Sequence, residues 1–480
     1  MDDWACIIGG THVLTGTWYD VQDPYTGAGV GRVHRAGTDE IEDALQAASV
    51  GAAKAALLPA HARSAVLHRL ADLMESRREE FIRLLIAEGG KPRRNAEGET
   101  ARAIETILIS AEEAVRIGGE VIPLDRTPAG TGRVGIIQRF PVGIVLGITP
   151  FNFPLNLACH KLGPAVASGN AIILKPASST PLSSLLLGRL LIEAGYPPEA
   201  ISVVPCLPDV AEIIASDPRI GCITFTGSPA VGWHLRSVAS CGKVTLELGG
   251  NAAVIVHEDA DLPRAASRIV EGGFSQAGQV CISVQRVFVH RPVYELLLMK
   301  LGELTDRLVI GDPSDPVTDL GPMISEDAAR AALMRVQAAC AGGAEVFRGG
   351  SLNGSLMQPT ILTGTTPGME VSCREVFAPV ITVTVYDTFE EAVALVNDSI
   401  YGLQAGVFTR DIGRAGYAFS RLQVGAVIIG DIPTFRVDMM PYGGVKHSGC
   451  GREGPRYAIE DMTEPRMMVL ADFPPPVPHL

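Results

Sequence analysis

The sequence predicts an α/β protein with more than one domain, and three observations support that prediction. The chain has 480 residues, which is too long for one ordinary hydrophobic core. Because 47% of the residues are hydrophobic and 19% are charged, the composition is that of a globular protein, neither fibrous nor disordered. From Val142 onward, strand-like runs alternate with helical stretches, the pattern of parallel sheets covered by helices on both faces.

The chain before Val142 has a different pattern. Residues 8–35 contain short apolar pieces separated by turn signals, which predicts small edge strands. Apolar residues recur at three- and four-residue spacing over 61–88, which predicts one amphipathic helix that ends at Gly89 and Gly90. A second helix is predicted over 96–116.

Two sets of strands follow, and they predict two parallel sheets. The first set is predicted at 142–148, 171–174, 201–204, 222–225 and 244–248, with helices at 156–167, 183–194, 208–215 and 229–239. The second set is predicted at 252–256, 287–290, 381–386 and 426–429, with helices at 293–308, 328–341 and 390–397. We therefore expect a domain boundary near Gly249 and Gly250, and an extended segment at the C-terminal prolines 474–476.

Charge and cysteine content exclude several classes of protein. A net charge of -13 argues against a general nucleic-acid binder, which needs a basic surface. No run of 18 apolar residues predicts a membrane span, and the acidic N-terminus is unlike a secretory signal. The nine cysteines are isolated, without a Cys-x-x-Cys pair, so we predict neither disulfides nor a metal site, and we expect a cytoplasmic location.

Cys281 is a candidate nucleophile. It follows a Gly-Gln loop and precedes an apolar, strand-like run within residues 274–287. A sulfur at such a junction could attack a carbonyl carbon. Free cysteines are also common as inert buried residues, so the position of Cys281 alone leaves both interpretations open.

Two further segments follow strands and carry side chains suited to a ligand. Asn152, in the Thr-Pro-Phe-Asn-Phe-Pro segment 149–154, lies where open α/β sheets bind ligands, and its amide could either stabilise an oxyanion or hold a turn. Lys175, which opens the segment 175–181, could bind ribose or phosphate or could simply be solvated. Segment 225–232 places a Gly-Ser turn before a helix, whose free amides would attract a phosphate.

Glu247 and the glycines at 130–135 need separate interpretations. Glu247 lies within an apolar strand over 244–251, so it is either paired with a cation or, with a pKa raised by burial, a general base. Residues 130–135 formally match the Gly-x-Gly-x-x-Gly dinucleotide fingerprint, but no strand precedes them and no helix follows. We interpret that stretch as part of a protruding β-hairpin.

Together these segments resemble the motif set of the aldehyde dehydrogenase superfamily, in that family's chain order. Residues 375–379 (Glu-Val-Phe-Ala-Pro), 397–402 (Asn-Asp-Ser-Ile-Tyr-Gly) and 441–449 (Pro-Tyr-Gly-Gly-Val-Lys-His-Ser-Gly) match as well. The resemblance implies a Rossmann-like cofactor domain, an α/β catalytic domain and a bridging β-hairpin that joins subunits into a homodimer or homotetramer. The corresponding ranges are 1–119 and 142–249 for NAD(P) binding, 250–445 for catalysis, and 120–141 with 462–480 for assembly.

The resemblance also assigns roles to single residues. It makes Cys281 the nucleophile, Asn152 an oxyanion donor and Glu247 the base for hydrolysis of a thioester to the carboxylic acid. It places further residues at the cofactor: Thr149, Pro150, Lys175, Ser178, Gly227, Ser228, Gly232, Leu248, Glu375 and Phe377.

Departures from the commonest family pattern concern the cofactor and the substrate. Many NAD-using relatives carry glutamate where this chain has Ser178, and the loss of that charge predicts that NADP is accepted. Residues 279–286 and 433–438 resemble the branch that includes lactaldehyde and phosphonoacetaldehyde dehydrogenases, which implies a small polar or anionic aldehyde. Arg102 and Arg436 are candidates to hold its anionic group, or they are structural.

Alternative functions remain at this point. A cysteine hydrolase would also use Cys281, but it needs a positioned histidine, and no local signature of such a family surrounds this cysteine. We interpret His160 as a packed or capping residue. A CoA-acylating aldehyde dehydrogenase would share the first half-reaction, and a cofactor-binding relative without catalysis is the third alternative.

Overall fold

The computed structural model describes residues 2–472, and all elements given below lie in that range. The predicted extended segment at 474–476 and the end of the predicted tail lie outside the described residues. The prediction of an α/β fold is confirmed, with helices packed around several mixed sheets.

Within this range, the first sheet has eight strands. Their spatial order is Gly449–Cys450, Lys243–Glu247, Ile220–Thr226, Ile144–Ile148, Ala171–Lys175, Ile201–Val203, Cys6–Ile8 and Thr11–Val13. The five central strands are the predicted ones and are parallel, while the edge strands pair antiparallel. The register sets Ile148 beside Lys175 and Thr226 beside Glu247, so the carboxyl ends of these strands meet at one edge.

The second sheet has seven strands among the described residues. Their order is Glu345–Arg348, Thr360–Thr363, Val380–Tyr386, Arg286–His290, Ala253–Val256, Gln404–Phe408 and Ala426–Ile429. All pairs are parallel except the edge strand Glu345–Arg348. We did not predict Gln404–Phe408, because its alanine and glycine give a weak strand signal. Gly406 is required there, since an added Cβ would lie 2.6 Å from the Asp431 carbonyl oxygen.

A third sheet is built from a hairpin and the C-terminal strand. Glu120–Pro123 pairs antiparallel with Val134–Pro141, which pairs antiparallel with Thr463–Leu470. Gly130 ends a short turn of 3₁₀-helix over Pro128–Gly130, so residues 130–135 do not connect a strand to a helix. The interpretation of this stretch as a hairpin is confirmed, whereas the assembly role and the domain ranges given above stay predictions.

The remaining strands form small sheets at the surface. Asp2–Trp4, Gly29–His34 and Trp18–Gln22 make a three-stranded sheet, which agrees with the short edge strands predicted over 8–35. Two ribbons pair Leu352–Asn353 with Leu356–Met357 and Tyr401–Gly402 with Val445–Lys446.

The helices cover both faces of the two large sheets. They are Thr38–Ala56, Ala60–Ser76, Arg78–Gly89, Arg93–Ala114, Pro154–Ala167, Leu182–Glu193, Pro208–Ser216, Pro229–Val238, Leu262–Phe274, Tyr294–Thr305, Glu326–Ala341, Glu370–Cys373, Phe389–Asn397, Ile412–Arg421 and Pro455–Asp461. Three helices between the central strands of the first sheet begin with proline at the first helical position, where a missing N–H costs nothing. None of the helices in the described part of the chain combines the length and hydropathy of a membrane span.

The prediction of a single helix over 61–88 is wrong. The structure has two helices, Ala60–Ser76 and Arg78–Gly89, separated at Arg77, whose φ of -108° and ψ of 17° leave the helical region. Both halves bury an apolar face in the same core, with Met74 before the break and Phe81 after it. The hydrophobic period therefore continues across the break, and no glycine or proline marks it.

Candidate active site

A cleft of about 1320 Å³ lies between the two large sheets. One wall is formed by segments that follow strands of the first sheet, and the other by loops that precede or follow strands of the second sheet. Cys281, Glu247 and Asn152, which are separated by up to 129 positions in the sequence, all line this cleft. Open α/β sheets bind ligands at such an edge.

A strained turn places Cys281 in the cleft. After the helix Leu262–Phe274, Gln276 and Ala277 adopt positive φ values of 56° and 52°, a conformation that residues other than glycine rarely take. Gly278 follows with φ 67°, and an added Cβ there would lie 2.1 Å from the Ala378 carbonyl oxygen. The turn therefore lies against the second sheet, and it presents the partly exposed Cys281 to the cleft.

The Cys281 thiol contacts a residue for which we predicted no role. Its Sγ lies 2.9 Å from the hydroxyl oxygen of Tyr442. Burial raises the pKa of the Cys281 thiol to about 12, although the hydrogen bond to Tyr442 and the nearby Arg436 act in the opposite direction. The free protein thus holds a protonated sulfur that needs help to ionise.

Asn152 is fixed beside the loop that carries Cys281. The side-chain Nδ2 of Asn152 donates to the backbone carbonyl oxygen of Gln279 at 2.8 Å. The backbone carbonyl oxygen of Asn152 accepts a hydrogen bond from Lys91 Nζ, also at 2.8 Å. Lys91 is buried and pairs with the buried Glu99. Because a side-chain amide carries two N–H groups, one remains available to an oxygen in the cleft.

Glu247 is buried without a partner. Only 2% of its surface is exposed, and neither side-chain oxygen has a hydrogen-bond donor within residues 2–472. Burial, followed by the nearby negative charge of Glu453, raises the pKa of Glu247 well above its usual range. The structure thus contradicts the interpretation of Glu247 as paired with a cation, and its role as a proton acceptor stays a prediction.

A buried ion network lies beneath Glu247 and Cys281. Glu453 accepts from Lys161 Nζ at 3.0 Å, from Arg436 Nη2 at 3.1 Å and from the Thr226 hydroxyl at 2.9 Å. Burial alone would raise the pKa of Glu453, but Lys161 and Arg436 outweigh burial and hold that pKa well below its usual range.

Arg102 and Arg436 both line the cleft, and each also has a structural partner. Arg102 makes a bidentate pair with Asp438, with Nε–Oδ2 and Nη2–Oδ1 distances of 3.0 and 2.8 Å. His160 Nε2 lies 2.8 Å from Asp438 Oδ1 and 3.1 Å from Arg436 Nη2. The interpretation of His160 as a packed residue agrees with its burial, and burial together with Arg436 lowers its pKa.

The charges of this network do not cancel. In these ion pairs three cations (Lys161, Arg102 and Arg436) meet two carboxylates (Asp438 and Glu453). The paired groups therefore hold one more cation than carboxylate, and Arg102 and Arg436, which line the cleft, could contact an anion there.

The other wall carries the predicted cofactor residues. Thr149, Pro150, Lys175 and Ser178 line the cleft at the ends of neighbouring strands, and the Thr149 N–H donates to the Lys175 carbonyl oxygen at 3.1 Å. The Thr149 hydroxyl is buried without a partner within residues 2–472, so a bound polar group could satisfy it. Burial lowers the pKa of Lys175, and Ser178 is exposed.

The turn before the helix Pro229–Val238 consists of small residues, so a ligand in the cleft could come close to the start of this helix. Gly227 and Ser228 line the cleft, and the Ser228 side chain makes no capping hydrogen bond. An added Cβ on Gly227 would lie 2.6 Å from Phe225 Cζ. Gly232 lies behind the wall, where an added Cβ would be 2.4 Å from Leu248 Cδ2, so it keeps the helix close to Leu248 and does not itself line the cleft.

Glu375 and Phe377 close the cleft on the side of the second sheet. Glu375 Oε1 accepts from the Gly250 N–H at 2.9 Å, and burial raises the pKa of Glu375 to about 7. Phe377 has a positive φ of 54° and packs edge-on against Phe151, with 5.8 Å between ring centroids. Phosphate, ribose and a planar ring could thus all find suitable surfaces, so the residues present fit a dinucleotide.

Several residues of the site carried no signal that we used. Tyr442 stands in the recognised segment 441–449, where its neighbours are glycines, and we assigned it no role. Lys91, Glu99, Lys161, Asp438 and Glu453 act through ion pairs between distant segments. A single sequence offers no periodic or local pattern that connects them.

Comparison with known proteins agrees with this geometry. The model of the Aldehyde dehydrogenase family matches residues 13–468. A 3-sulfolactaldehyde dehydrogenase of Priestia aryabhattai is 46% identical over 470 residues, covering 97% of this chain and 98% of the relative. Aldehyde dehydrogenase 21 from Physcomitrella patens, solved with the reaction product succinate, is 40% identical with a TM-score of 0.96 over 98% of both chains.

A third similar protein was solved with a cofactor. The glyceraldehyde-3-phosphate dehydrogenase of Methanocaldococcus jannaschii, complexed with NADP, is 34% identical with a TM-score of 0.92, over 95% of this chain and 100% of that one. Family membership contradicts the hydrolase alternative and the relative without catalysis. This chain therefore belongs to the aldehyde dehydrogenase family and is an NAD(P)-dependent oxidoreductase that acts on aldehydes.

Proposed function

We propose that this enzyme oxidises a small anionic aldehyde to the carboxylic acid through Cys281, with NADP as an accepted cofactor. The observation that carries the proposal is the excess of cations in the ion network, where Lys161, Arg102 and Arg436 share two carboxylates. Arg102 supports it most directly, because about 31% of its side chain is exposed while it lines the cleft. The names of two similar proteins agree, since one acts on an aldehyde with a sulfonate and the other was solved with a dicarboxylate product.

The chain's own residues supply nucleophile, oxyanion donor and base. The Cys281 thiolate adds to the aldehyde carbon, and the oxygen of the resulting adduct becomes an oxyanion. The free N–H of Asn152 donates to that oxygen, and its hydrogen bond to Gln279 holds the amide in place. Bound NAD(P) supplies a hydride acceptor, which allows the adduct to become a thioester.

Glu247 then takes a proton from water, which attacks the thioester carbon and releases the acid and the Cys281 thiolate. Its raised pKa and its two unpartnered oxygens suit that step, because a base works best with a pKa near the working pH.

Cofactor choice follows from Lys175 and Ser178. Lys175 makes no ion pair with a carboxylate in the described part of the chain, so its charge is available to a 2′-phosphate. Ser178 adds no negative charge beside it. Both features support use of NADP, and neither prevents the use of NAD.

We also propose that the third sheet joins subunits into a homodimer or homotetramer. Met467, Met468 and Val469 are about half exposed on the strand Thr463–Leu470, and Val121 is exposed on the first hairpin strand. An apolar surface of this kind is typical of protein contacts. Light scattering on the protein and on a Met468→Lys variant tests the assembly role.

The substrate proposal is tested with matched pairs of aldehydes. Three- and four-carbon aldehydes that end in carboxylate, sulfonate or phosphate are compared with neutral aldehydes of equal length, and NADH and NADPH formation are followed. We expect kcat/KM to favour the anionic member by about tenfold or more, the size of one charge-assisted hydrogen bond. Cys281→Ala is the blank, and activity that survives in it would contradict the mechanism.

The product distinguishes hydrolysis from CoA acylation. We expect the free carboxylic acid without added CoA, and no change of rate when CoA is present. An acyl-CoA product with no turnover in the absence of CoA would instead identify the acylating alternative. Equal kcat/KM values for charged and neutral aldehydes would contradict the anionic substrate.

A further inference from the structure

Contacts with Glu453 and Arg436 hold Tyr442 next to Cys281. Its backbone pairs with that of Glu453, with N–O distances of 3.0 and 2.7 Å in the two directions. The Glu453 carboxylate holds Arg436, and the Arg436 guanidinium lies 3.8 Å from the centroid of the Tyr442 ring. Tyr442 is also buried, so its hydroxyl has little freedom to leave Cys281 Sγ at 2.9 Å.

The hydrogen bond between Tyr442 and Cys281 has a defined direction once the sulfur ionises. The ordinary pKa of tyrosine is about 10 and that of cysteine about 8.5, so the sulfur loses its proton first. Burial raises the pKa of Tyr442 well above its ordinary value, and the proximity of Cys281 adds to that. The proton therefore stays on the oxygen, and the hydroxyl donates to the thiolate.

We propose that Tyr442 is a catalytic residue whose hydroxyl donates to the Cys281 thiolate, and that Arg436 is a positioning residue that acts through the tyrosine ring. This inference rests on the proposed role of Cys281 as nucleophile. A cation over an aromatic face is attracted to the ring and makes the phenol a stronger donor.

Charged groups around Cys281 act in both directions. Tyr442 and Arg436 favour the thiolate, whereas Glu375, Glu247 and above all burial favour the thiol. Because burial dominates, loss of the hydroxyl leaves the sulfur with fewer compensating contacts. The donor matters wherever the sulfur carries negative charge, which is when it attacks the aldehyde and when it leaves the thioester.

The magnitude follows from two opposing effects. A hydrogen bond to an ionised group corresponds to about one to two pKa units, so its loss lowers the thiolate fraction about ten- to a hundredfold at fixed pH. A thiolate of higher pKa is intrinsically more nucleophilic, with a Brønsted slope of about 0.4–0.5. The net loss of reactivity is therefore about three- to tenfold.

The test measures alkylation of Cys281 in the free enzyme, without aldehyde or cofactor. Iodoacetamide is added between about pH 7 and 9, where the thiolate is the reacting form, and modification of the Cys281 peptide is followed by mass spectrometry. We expect Tyr442→Phe, which keeps the ring, to react about three- to tenfold more slowly at every pH while the rate still rises with pH. Tyr457→Phe, on the helix Pro455–Asp461 outside the cleft, is the matched control and should react like the parent.

A double-mutant cycle tests the part played by Arg436. Arg436→Gln should slow alkylation in the parent and slow it less in Tyr442→Phe, because its effect passes through the tyrosine. Equal slowing in both backgrounds would contradict the positioning role. Lys161 still pairs with Glu453 in this variant, which limits the disturbance.

Alkylation of Tyr442→Phe at the parental rate or faster would overturn the inference, since the hydroxyl would then be an acceptor from the thiol or a filler. This outcome is separate from failure of the proposed function. Whether Cys281 is the nucleophile is decided by aldehyde oxidation in Cys281→Ala, whereas the alkylation rate reports only on the ionisation of the sulfur.

Discussion

Glu247 and Glu453 are both buried at the base of the cleft, yet their surroundings are opposite. Glu453 receives hydrogen bonds from Lys161, Arg436 and Thr226, and these outweigh burial to keep its pKa low. Glu247 has no donor for either oxygen within residues 2–472, and burial raises its pKa. Since both are about 2% exposed, the difference comes from their partners and not from depth.

We therefore propose different roles for the two carboxylates. Glu453 has a lowered pKa and holds two cations in place, whereas Glu247, with its raised pKa, is the proposed proton acceptor. They are also coupled, because the charge of Glu453 is the second contribution to the raised pKa of Glu247, after burial. The charge of Glu453 thus helps to raise the pKa of the proposed base.

The comparison is tested most directly by removing the carboxylate of Glu247, for which we expect the largest effect. In Glu247→Gln we expect thioester hydrolysis to slow by about 10²–10⁴-fold, the usual contribution of a general base. Rapid mixing should then give a burst of reduced cofactor followed by slow turnover, with the acylated Cys281 peptide detectable by mass spectrometry. Hydrolysis at the parental rate would remove Glu247 from the mechanism.

The pH dependence of thioester hydrolysis is a second test of the role of Glu247. Hydrolysis needs ionised Glu247, and its folded pKa is raised, so the rate should increase with pH up to that value and lie well to the alkaline side of an ordinary glutamate. Glu247→Gln should lose this increase. A hydrolysis rate that is flat above about pH 5 in the parent would mean that Glu247 has an ordinary pKa of about 4.3.

Removal of the fixed charge should affect stability. Glu453→Gln leaves Lys161 and Arg436 buried with one partner fewer, and we expect a loss of about 3–5 kcal/mol in the free energy of unfolding in urea. Glu112→Gln is the control, since its pair with Arg116 is exposed and contributes little to stability. A loss in Glu453→Gln no larger than in this control would show that the network is not held by that charge.

The lowered pKa of Glu453 determines how its contribution to the free energy of unfolding changes with pH. The contribution is fully present above the unfolded pKa of about 4.3 and is lost as pH falls through the lower folded value. Glu453→Gln should therefore lose less stability on acidification than the parent does. Equal losses in the two proteins would contradict a lowered pKa.

These two residues also show how far the sequence can be interpreted. Glu247 was a candidate because a charged residue stood in an apolar strand, which is a local signal. Glu453 pairs with Lys161 across 292 positions, and Tyr442 contacts Cys281 across 161, so no local spacing connects either pair. The central strands of the first sheet were predicted because valine and isoleucine mark them, whereas the break at Arg77 and the strand Gln404–Phe408 depend on packing alone.

A smaller effect is expected at the cleft mouth, where Arg102 pairs with Asp438. Arg102→Lys keeps a cation beside Asp438 but loses the planar fork that suits a carboxylate or sulfonate. We expect kcat/KM for anionic aldehydes to fall about tenfold, and that for neutral aldehydes to stay the same. Arg93→Lys, which changes an arginine outside the cleft, is the control. If charged and neutral aldehydes were affected alike, Arg102 would be structural only.

The smallest effect concerns the cofactor wall, where Ser178 is uncharged and makes no ion pair in the part of the chain that the structure describes. Ser178→Glu places a carboxylate among cleft-lining residues near Lys175, where it can pair with the ammonium and repel a 2′-phosphate. We expect kcat/KM with NADP to fall about tenfold, with that for NAD unchanged or higher. Ser179→Glu is the matched control, because Ser179 is exposed and does not line the cleft. If Ser179→Glu reduced NADP use as much as Ser178→Glu, the effect would be one of general charge, and Ser178 would not select the cofactor.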